Sequence, residues 1–252
     1  MSHKAKSAHT GGALSCVEIL VSLYFEAMKV FPKDPWNEKR DRLFFSKAHD
    51  AKALYAVLMQ RGYFDKELLA GYEADGGKLP GHSTRYCVPG VEISAGSLGH
   101  GLPMAVGSAF ANKIKKNKAT TFVILSDGEC DEGSTWEAAL FAGHHKLNNL
   151  IAIVDYNKLQ GYGYTKDVLD LEPFTNKWES FGWVTCEING HDFKEIIKSL
   201  KKFQSKSTKP TVIIAHTIKG LGGVDAHVGQ VSSQYKPPTD EEYEKLLASW
   251  EK

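Results

Sequence analysis

The chain has 252 residues, which is enough for one large domain or two small ones. Its apolar share of 42% and charged share of 24% are ordinary for a soluble globular protein. The 31 basic and 30 acidic residues leave a formal net charge of +1, so the composition gives no reason to expect a nucleic acid or an anionic membrane as a partner.

The cysteines and the apolar runs predict where the protein resides. The four cysteines form no C-x-x-C pair, which disfavours a zinc ribbon or a dithiol redox motif and suits reduced thiols. Residues 1–10 are polar and basic, so no signal peptide is expected there. No run of about 18 apolar residues is present, so no membrane span is expected. These features together predict a cytoplasmic protein.

The first third of the chain shows helical spacing followed by a short apolar run. Ser15 and Glu18 have the spacing of a capping box before a helix that extends to Ala27. The run at 42–46 predicts a strand, and the pattern at 48–60 predicts a helix. The glycine-rich stretch that follows, from Asp75 to Gly101, is too long for a passive connection and is expected to be functional.

The remainder of the chain alternates between apolar runs and helical patterns. Ser134 and Glu137 have the spacing of a second capping box, and Asp192 is expected to cap a later helix. The predicted helices are 101–116, 138–145 and one after Asp192, and the predicted strands are 121–126, 150–156, 183–188 and 211–216. This alternation predicts an α/β fold with a parallel sheet and helices on both faces, in a single domain spanning 1–252.

Polar residues follow two of these apolar runs at the points where the predicted strands end. Asp127-Gly128 comes directly after 121–126, and Asn157 comes directly after 150–156. In open α/β sheets, ligands bind outside the carboxyl ends of the strands, so this acid and this amide are expected to share one crevice. Their hard oxygen atoms suit a magnesium ion that holds a diphosphate, and a glycine lets the backbone approach the phosphate closely.

Asn157 follows Asp127-Gly128 after an interval of 28 residues. This pattern resembles the G-D-G-x(25–30)-N motif of thiamine diphosphate enzymes, with Ser126 in place of the first glycine. Further segments are similar to motifs of the transketolase family and occur in the same order: S-A-H-T-G-G-A-L-S at 7–15, F-S-K-A-H-D-A at 45–51, P-G-H-S at 80–83, S-A-G-S-L-G-H-G at 94–101, and the region 126–138. The chain is identified as resembling the first, diphosphate-binding domain of that family.

The resemblance implies thiamine diphosphate as the cofactor, a thiamine diphosphate-binding fold, and a role for each matching residue. Asp127, Asn157 and the backbone carbonyl of Leu159 would hold Mg²⁺, or Ca²⁺ or Mn²⁺ in its place. The implied catalytic residues are histidines near the thiazolium: His9, His49, His82, His100 and His227. The implied cofactor-binding residues are His49, His82, Gly96, Leu98, Gly128, Glu132, Asn157 and His227. Glu132 and Glu137 match acidic residues at the family's dimer interface.

The resemblance also implies a partner and a reaction. The family activates the aminopyrimidine with a glutamate from a second domain, and that domain does not follow here before Lys252. We therefore expect an α2β2 heterotetramer that includes a separate C-terminal transketolase subunit. The expected reaction moves a two-carbon glycolaldehyde unit from a ketose to an aldose, with sugars or sugar phosphates as substrates. Met1 lies close to His9, so we expect either a misassigned start or a shortened amino terminus.

Three alternatives remain open at this stage. A different thiamine diphosphate enzyme, such as a deoxyxylulose-phosphate synthase or a dehydrogenase first component, would share Asp127 and Asn157 without the full set of histidines. A non-catalytic regulator would keep the cofactor-holding fold. An unrelated nucleotide-binding α/β module would bind ATP and show no magnesium-dependent binding of thiamine diphosphate.

Overall fold

The computed structural model describes residues 1–250 and contains one five-stranded sheet, in which every neighbouring pair of strands is parallel. The strand order is β1-β2-β3-β5-β4. The strands are β1 (Arg42–Phe45), β2 (Thr121–Ser126), β3 (Leu150–Tyr156), β4 (Val184–Asn189) and β5 (Thr211–His216). The predicted α/β fold and the predicted strand positions are therefore confirmed.

Helices connect and flank the strands. The helices before β2 are α1 (Ser2–Ala5), α2 (Thr10–Ser15), α3 (Val17–Ser22, continued by a π turn at Leu23–Ala27), α4 (Ala51–Gln60) and α5 (Gly101–Ile114). Those after β2 are α6 (Gly133–His144), α7 (Thr165–Val168), α8 (Phe174–Ser180), α9 (Phe193–Lys206), α10 (Ser232–Tyr235) and α11 (Asp240–Trp250).

The two faces of the sheet pack against different helices. Alternate strand residues such as Phe122 and Ile153 point to a core that includes α3, α4 and α9, whereas Val123 and Val154 point to a core that includes α5, α6 and α8. Every residue of β2 and β3 is buried. Strands buried on both faces have continuous apolar sequences, which explains why these two could be located so closely from the sequence.

The sheet register brings the carboxyl ends of three strands together. Ser126 at the end of β2 pairs with Asp155 of β3, and Tyr156 pairs with His216 of β5. The next residues along the chain, Asp127 and Asn157, therefore leave the sheet at the same edge. This edge is where an open α/β sheet binds ligands.

Both predicted capping boxes are wrong, although the cap at Asp192 is confirmed. Helix α2 already begins at Thr10, and Ser15 Oγ lies 2.5 Å from Asp155 Oδ2 instead of capping α3. Helix α6 begins at Gly133, and Ser134 Oγ donates to Gly99 O at 2.8 Å. Distant partners in the folded chain satisfy both hydroxyl groups. Asp192 Oδ1 accepts from two backbone N–H groups at the start of α9, as an N-cap does.

None of the helices within residues 1–250 has the length and apolar character needed to cross a lipid bilayer.

Candidate active site

A cavity of about 260 Å³ opens at the carboxyl ends of β2 and β3. Asp127 and Asn157, which the sequence placed at these strand ends, both line it. Leu98, Gly128 and Leu159 also contribute to its wall. The strand ends therefore bring together side chains that are 30 positions apart in the sequence, as the parallel sheet requires.

Asp127 is the buried acid of this cavity, with 2% of its surface exposed. Its Oδ1 accepts from the backbone N–H of Gly128 at 2.8 Å, and its Oδ2 accepts from that of Lys158 at 2.5 Å. The second hydrogen bond ties the carboxylate to the residue that follows Asn157. Burial, together with the nearby Asp155 carboxylate, raises the pKa of Asp127 to about 6. A nearby cation would stabilise its charged form.

The segment after β3 presents two more oxygen atoms. Asn157 Oδ1 accepts from the backbone N–H of Leu159 at 3.1 Å, which fixes the orientation of the amide. The carbonyl oxygen of Leu159 accepts from Lys219 Nζ at 2.8 Å. Lys219 is buried, and burial lowers the pKa of its ammonium group. A cationic nitrogen atom therefore already lies against one of the expected metal-ligand oxygens.

Three fully buried charged groups lie beside this cavity. The Lys47 ammonium contacts the Asp155 carboxylate directly and lies 3.0 Å from Asp50 Oδ2. Lys47 is 1% exposed, and both aspartates are fully buried. Although burial opposes its charge, the carboxylates of Asp155 and Asp50 raise the pKa of Lys47. Lys47 and Asp50 line the cavity, and Asp155 also accepts from Thr217.

Three of the predicted histidines cluster. The ring centroids of His9 and His49 are 5.3 Å apart, and those of His9 and His82 are 6.0 Å apart. His9 and His49 line the cavity. Gly96 packs against His82, because a Cβ atom at this glycine would lie 3.3 Å from His82 Cδ2. The cluster draws on the start of α2, the turn after β1 and the glycine-rich stretch.

His100 and Glu132 lie near the cavity wall without lining the cavity itself. His100 is exposed, and its Nδ1 lies 2.9 Å from the carbonyl oxygen of Leu98. Glu132 is exposed, and it sits against Gly99, where a Cβ atom would lie 2.6 Å from Glu132 Cβ. Both residues therefore border the Leu98–Gly99 turn, whose first residue lines the cavity.

The structure does not bring His227 to this cavity. The side chain lines a different, apolar cavity of about 440 Å³ beneath α11, where its Nδ1 lies 2.7 Å from Ser232 Oγ. Its Nε2 lies 3.7 Å from Glu242 Oε1. The short 3₁₀ turn at Asp225–His227 and the contact with α11 direct this histidine away from Asp127. Gln234 lines the Asp127 cavity instead.

Sequence reasoning missed several residues of the cavity, among them three charged groups and one amide. Lys47 and Asp50 follow β1, Lys219 follows β5, and Gln234 lies in the short helix α10. The first three could have been found, because charged residues just after a buried strand lie at the ligand-binding edge of a parallel sheet. Gln234 carries no such signal in the sequence.

His49 provides a test of the electrostatics of the cavity. Burial lowers the pKa of His49 to about 4, even though the Asp50 carboxylate favours the charged ring. Since this value lies below that of an unfolded histidine, the unfolded chain binds the proton more tightly. We therefore expect the ring to cost about 3 kcal/mol of stability as the pH falls from 6.5 to 4.

The measurement is the free energy of unfolding in denaturant at several pH values between 7 and 4, for the wild-type chain and His49→Gln. As the pH falls, the free energy of unfolding of the wild type should decrease by about 3 kcal/mol more than that of His49→Gln. His144→Gln, at an exposed position, is the control and should leave the pH dependence as in the wild type. A constant difference between wild type and His49→Gln across this range would contradict the expectation.

Comparisons with known proteins agree with this geometry. The family model described as transketolase, thiamine diphosphate binding domain matches residues 1–250. The chain belongs to the transketolase family. It is 42% identical to an apulose-4-phosphate transketolase subunit of Phocaeicola vulgatus, over 97% of this chain and 86% of that protein. It is also 42% identical to the 6-deoxy-6-sulfo-D-fructose transketolase subunit SqwG of a Clostridium species, over 97% of this chain and 88% of that protein.

Solved transketolase structures share the fold. The Campylobacter jejuni transketolase superposes with a TM-score of 0.89 and 34% identity, covering 98% of this chain and 39% of that one. The Leishmania mexicana transketolase superposes with a TM-score of 0.90 and 29% identity, covering 99% and 39%. This transketolase-family chain therefore spans about two fifths of the length of those enzymes and corresponds to their thiamine diphosphate-binding part.

The cavity residues fit a metal-bound diphosphate. Asp127, Asn157 and the Leu159 carbonyl are hard oxygen donors of the kind that Mg²⁺ selects. Within residues 1–250 no group of three or more His, Cys, Asp or Glu side chains is placed to hold a metal, so a metal here also needs amide, backbone and phosphate oxygens. A Cβ atom at Gly128 would lie 2.9 Å from Gln160 Cδ, so the side chain of Gln160 would have to shift if this glycine were replaced. Lys219 provides positive charge for a polyanion, whereas Asp155 and Asp50 already balance the charge of Lys47.

Proposed function

We propose that this chain is the diphosphate-binding subunit of a split transketolase, which moves a two-carbon glycolaldehyde unit from a ketose to an aldose acceptor. The observation that carries the proposal is the shared cavity. Asp127 and Asn157, at the ends of adjacent parallel strands, face the same space as His9 and His49. This combination supports both cofactor binding and sugar chemistry at one place.

The proposed metal ligands are Asp127, Asn157 and the carbonyl oxygen of Leu159, with Mg²⁺ as the ion. Lys219 lies against Leu159 and is available to the diphosphate. Gly96, Leu98, Gly128 and Glu132 are proposed to contact or border the cofactor. When bound, thiamine diphosphate supplies the carbanion chemistry that breaks and forms the carbon–carbon bond.

The histidines are proposed to handle protons and hydroxyl groups of the sugar. His49 stays neutral near pH 7, since burial lowers its pKa to about 4, so its ring can both donate and accept a hydrogen bond. His9 and His82 lie within 6.0 Å of one another, measured between ring centroids. They can therefore reach neighbouring hydroxyl groups on one substrate. His100 is proposed to act on the substrate from the edge of the cavity.

A separate partner chain is part of the proposal. The supporting observation is that two relatives of this chain are named as transketolase subunits. The proposed partner is the C-terminal subunit, with a pyrimidine-binding domain and its activating glutamate. The proposed assembly is an α2β2 heterotetramer.

An exposed apolar surface supports such an assembly. Helices α5 and α6 contact each other and present large apolar side chains to the outside: Met104, Ile114, Leu140 and Phe141. Pro103, Val106 and Phe141 line a groove between the two helices, and an exposed apolar groove is typical of an interaction site. Glu137 lies in the groove between these two helices, in keeping with its proposed place at an interface.

The test is reconstitution of the enzyme. The purified chain, Mg²⁺ and thiamine diphosphate are mixed with the C-terminal subunit and an acceptor aldose, and release of the donor-derived aldose is measured with a panel of ketoses. The panel includes apulose 4-phosphate and 6-deoxy-6-sulfo-D-fructose, because relatives of this chain are named for them. We expect turnover at least about 1,000-fold above that of either chain alone. We expect EDTA to abolish this turnover.

Two outcomes would contradict the proposal. If the complex forms and binds the cofactor but transfers no two-carbon unit from any ketose, the chain is a subunit of a different thiamine diphosphate enzyme or a cofactor-binding regulator. If calorimetry shows ATP binding and no magnesium-dependent thiamine diphosphate binding, the chain is a nucleotide-binding module.

We also propose that the protein works in the cytoplasm. The supporting observation is that Cys16, Cys87, Cys130 and Cys186 are all free thiols. Reduced cysteines are usual in cytoplasmic proteins.

A further inference from the structure

Gln234 holds His9 at two points. The backbone N–H of His9 donates to the carbonyl oxygen of Gln234 at 2.7 Å. The amide nitrogen of Gln234 lies 2.7 Å from Nδ1 of the same histidine. His9 has a left-handed backbone with φ of 63°, an uncommon conformation for a residue with a side chain. The two contacts therefore fix both the backbone and the ring of a histidine that lines the active-site cavity.

The residues on either side of Gln234 reinforce this position. Ser233 packs against Gly11 so closely that a Cβ atom at Gly11 would collide with Ser233 Oγ. The Tyr235 hydroxyl donates to the carbonyl oxygen of Gly161, in the loop after Leu159, at 2.9 Å. The segment 233–235 thus joins the start of α2 to the loop that carries the proposed metal ligands.

With the Gln234 amide nitrogen facing Nδ1, the contact between the two side chains favours one position for the proton of the His9 ring. An amide nitrogen only donates hydrogen bonds, so Nδ1 of His9 must accept. A neutral imidazole that accepts at Nδ1 carries its proton on Nε2. A doubly protonated ring has no acceptor and would lose this hydrogen bond. The contact with Gln234 therefore favours the neutral ring and selects one of its two tautomers.

The surroundings of His9 act in the same direction. Burial lowers the pKa of His9. Asp50 favours the charged ring, but Lys52, His82 and Lys219 oppose it. These groups face the ring from α4, the turn after β1, the glycine-rich stretch and the segment after β5, and the His49 ring also faces it, with the two ring centroids 5.3 Å apart. A single carboxylate thus opposes burial and three basic groups.

The family resemblance implied a histidine from the 220–229 loop at this place. His227 instead lines the cavity beneath α11, and Gln234 provides an amide in the Asp127 cavity. An amide does not titrate near neutral pH, so Gln234 cannot itself serve as the acid or base that a histidine at this place would provide. The Oε1 atom of Gln234 is buried and has no hydrogen-bond partner within residues 1–250.

We propose that Gln234 is a positioning residue that holds His9 as a neutral imidazole with its proton on Nε2, ready to donate a hydrogen bond to an oxygen of the sugar substrate. The substrate part of this statement rests on the proposed transketolase function. The tautomer part rests only on the contacts between the two side chains.

The first test uses the full chain alone and needs neither cofactor nor turnover. Long-range ¹H–¹⁵N spectra of the histidine-labelled protein report which ring nitrogen carries the proton, and His9→Gln assigns the signals. We expect the Nε2–H tautomer in the wild type. In Gln234→Glu the carboxylate accepts from Nδ1–H, so we expect the opposite tautomer and a His9 pKa at least about one unit higher.

Two further variants make the result specific. Gln234→Ala removes the hydrogen bond without adding charge, and we expect a mixture of tautomers. Gln230→Glu makes the same change of charge four positions earlier at an exposed site, and we expect the wild-type tautomer. A wild-type ring protonated on Nδ1 would overturn the proposal. So would a Gln234→Glu chain with the tautomer and pKa of the wild type.

The second test uses the reconstituted complex. We expect Gln234→Glu to move the acid limb of the kcat/KM profile about one pH unit upward, because His9 would charge at a higher pH. A purely structural role would lower activity evenly across the profile and overturn the positioning role. An inactive wild-type complex whose His9 is protonated on Nε2 would refute the proposed function and leave the tautomer assignment standing.

Discussion

Asp127→Asn should reduce the affinity for thiamine diphosphate in the presence of magnesium by at least about 100-fold. Loss of a residue that only hydrogen-bonds to a metal ligand already lowers metal affinity about 10–100-fold, and loss of a direct ligand should lower it at least as much. The carboxylate is buried at the end of β2 and is the only acidic side chain among the three proposed ligands. Asparagine keeps the shape and one oxygen but removes the negative charge that attracts the ion. Calorimetric titration of thiamine diphosphate with and without MgCl₂ measures the effect.

The melting temperature of the variant shows whether it loses cofactor binding while it remains folded. Burial raises the pKa of Asp127 to about 6, so its charge destabilises the empty chain at pH 7.5. Asparagine relieves that cost but keeps only one oxygen, so either the Gly128 N–H or the Lys158 N–H loses its side-chain acceptor. We therefore expect the melting temperature of the empty variant to stay close to that of the wild type.

Asp167→Asn, at an exposed site, is the matched control for the change of charge and should bind the cofactor like the wild type. A folded Asp127→Asn variant with wild-type, magnesium-dependent affinity would show that this acid does not hold the metal. The proposed diphosphate site would then have to lie elsewhere.

Lys47→Met should lower the free energy of unfolding by about 3–5 kcal/mol, the usual cost of removing one partner from a buried ion pair. Lys47 contacts Asp155 and Asp50, and all three groups are at most 1% exposed. Methionine approximates the length of the side chain, so the main loss is the positive charge between two carboxylates. Chemical denaturation at pH 7 measures the change.

Two further variants show whether the charge is the cause. Lys201→Met breaks the ion pair with Glu26, in which both side chains are about half exposed, at 54% and 50%. We expect a change of at most about 1 kcal/mol there. Adding Asp155→Asn to Lys47→Met removes one of the uncompensated carboxylates and should recover part of the lost stability. If Lys47→Met and Lys201→Met lose equal amounts, the buried network is not a structural requirement.

The network also has a functional consequence. Asp155 raises the pKa of Asp127, and Lys47 is the cation that balances Asp155 within the protein. Removal of Lys47 would leave Asp50, Asp127 and Asp155 close together, with Lys219 near all three and Lys52 near Asp50 as buried cations. We therefore expect Lys47→Met to bind the diphosphate more weakly even under conditions where it is folded.

The sequence by itself determined the sheet and the edge at which the site lies. Strands β2, β3 and β5 are buried on both faces, so each appears as an uninterrupted apolar run with sharp ends. The polar residues that close two of these runs, Asp127 and Asn157, lie where a parallel sheet binds ligands. These are local properties of short segments, and a single sequence therefore reveals them.

Only the tertiary structure decided which other groups share that edge. Lys47 and Asp155 are 108 positions apart, and Gln234 meets His9 across 225 positions, so no spacing in the sequence predicts either contact. The hydroxyl group of Ser15 illustrates the same limit. Its sequence pattern indicates a helix cap, yet in the fold it lies against a buried carboxylate, because tertiary partners compete with local ones for the same hydrogen bond.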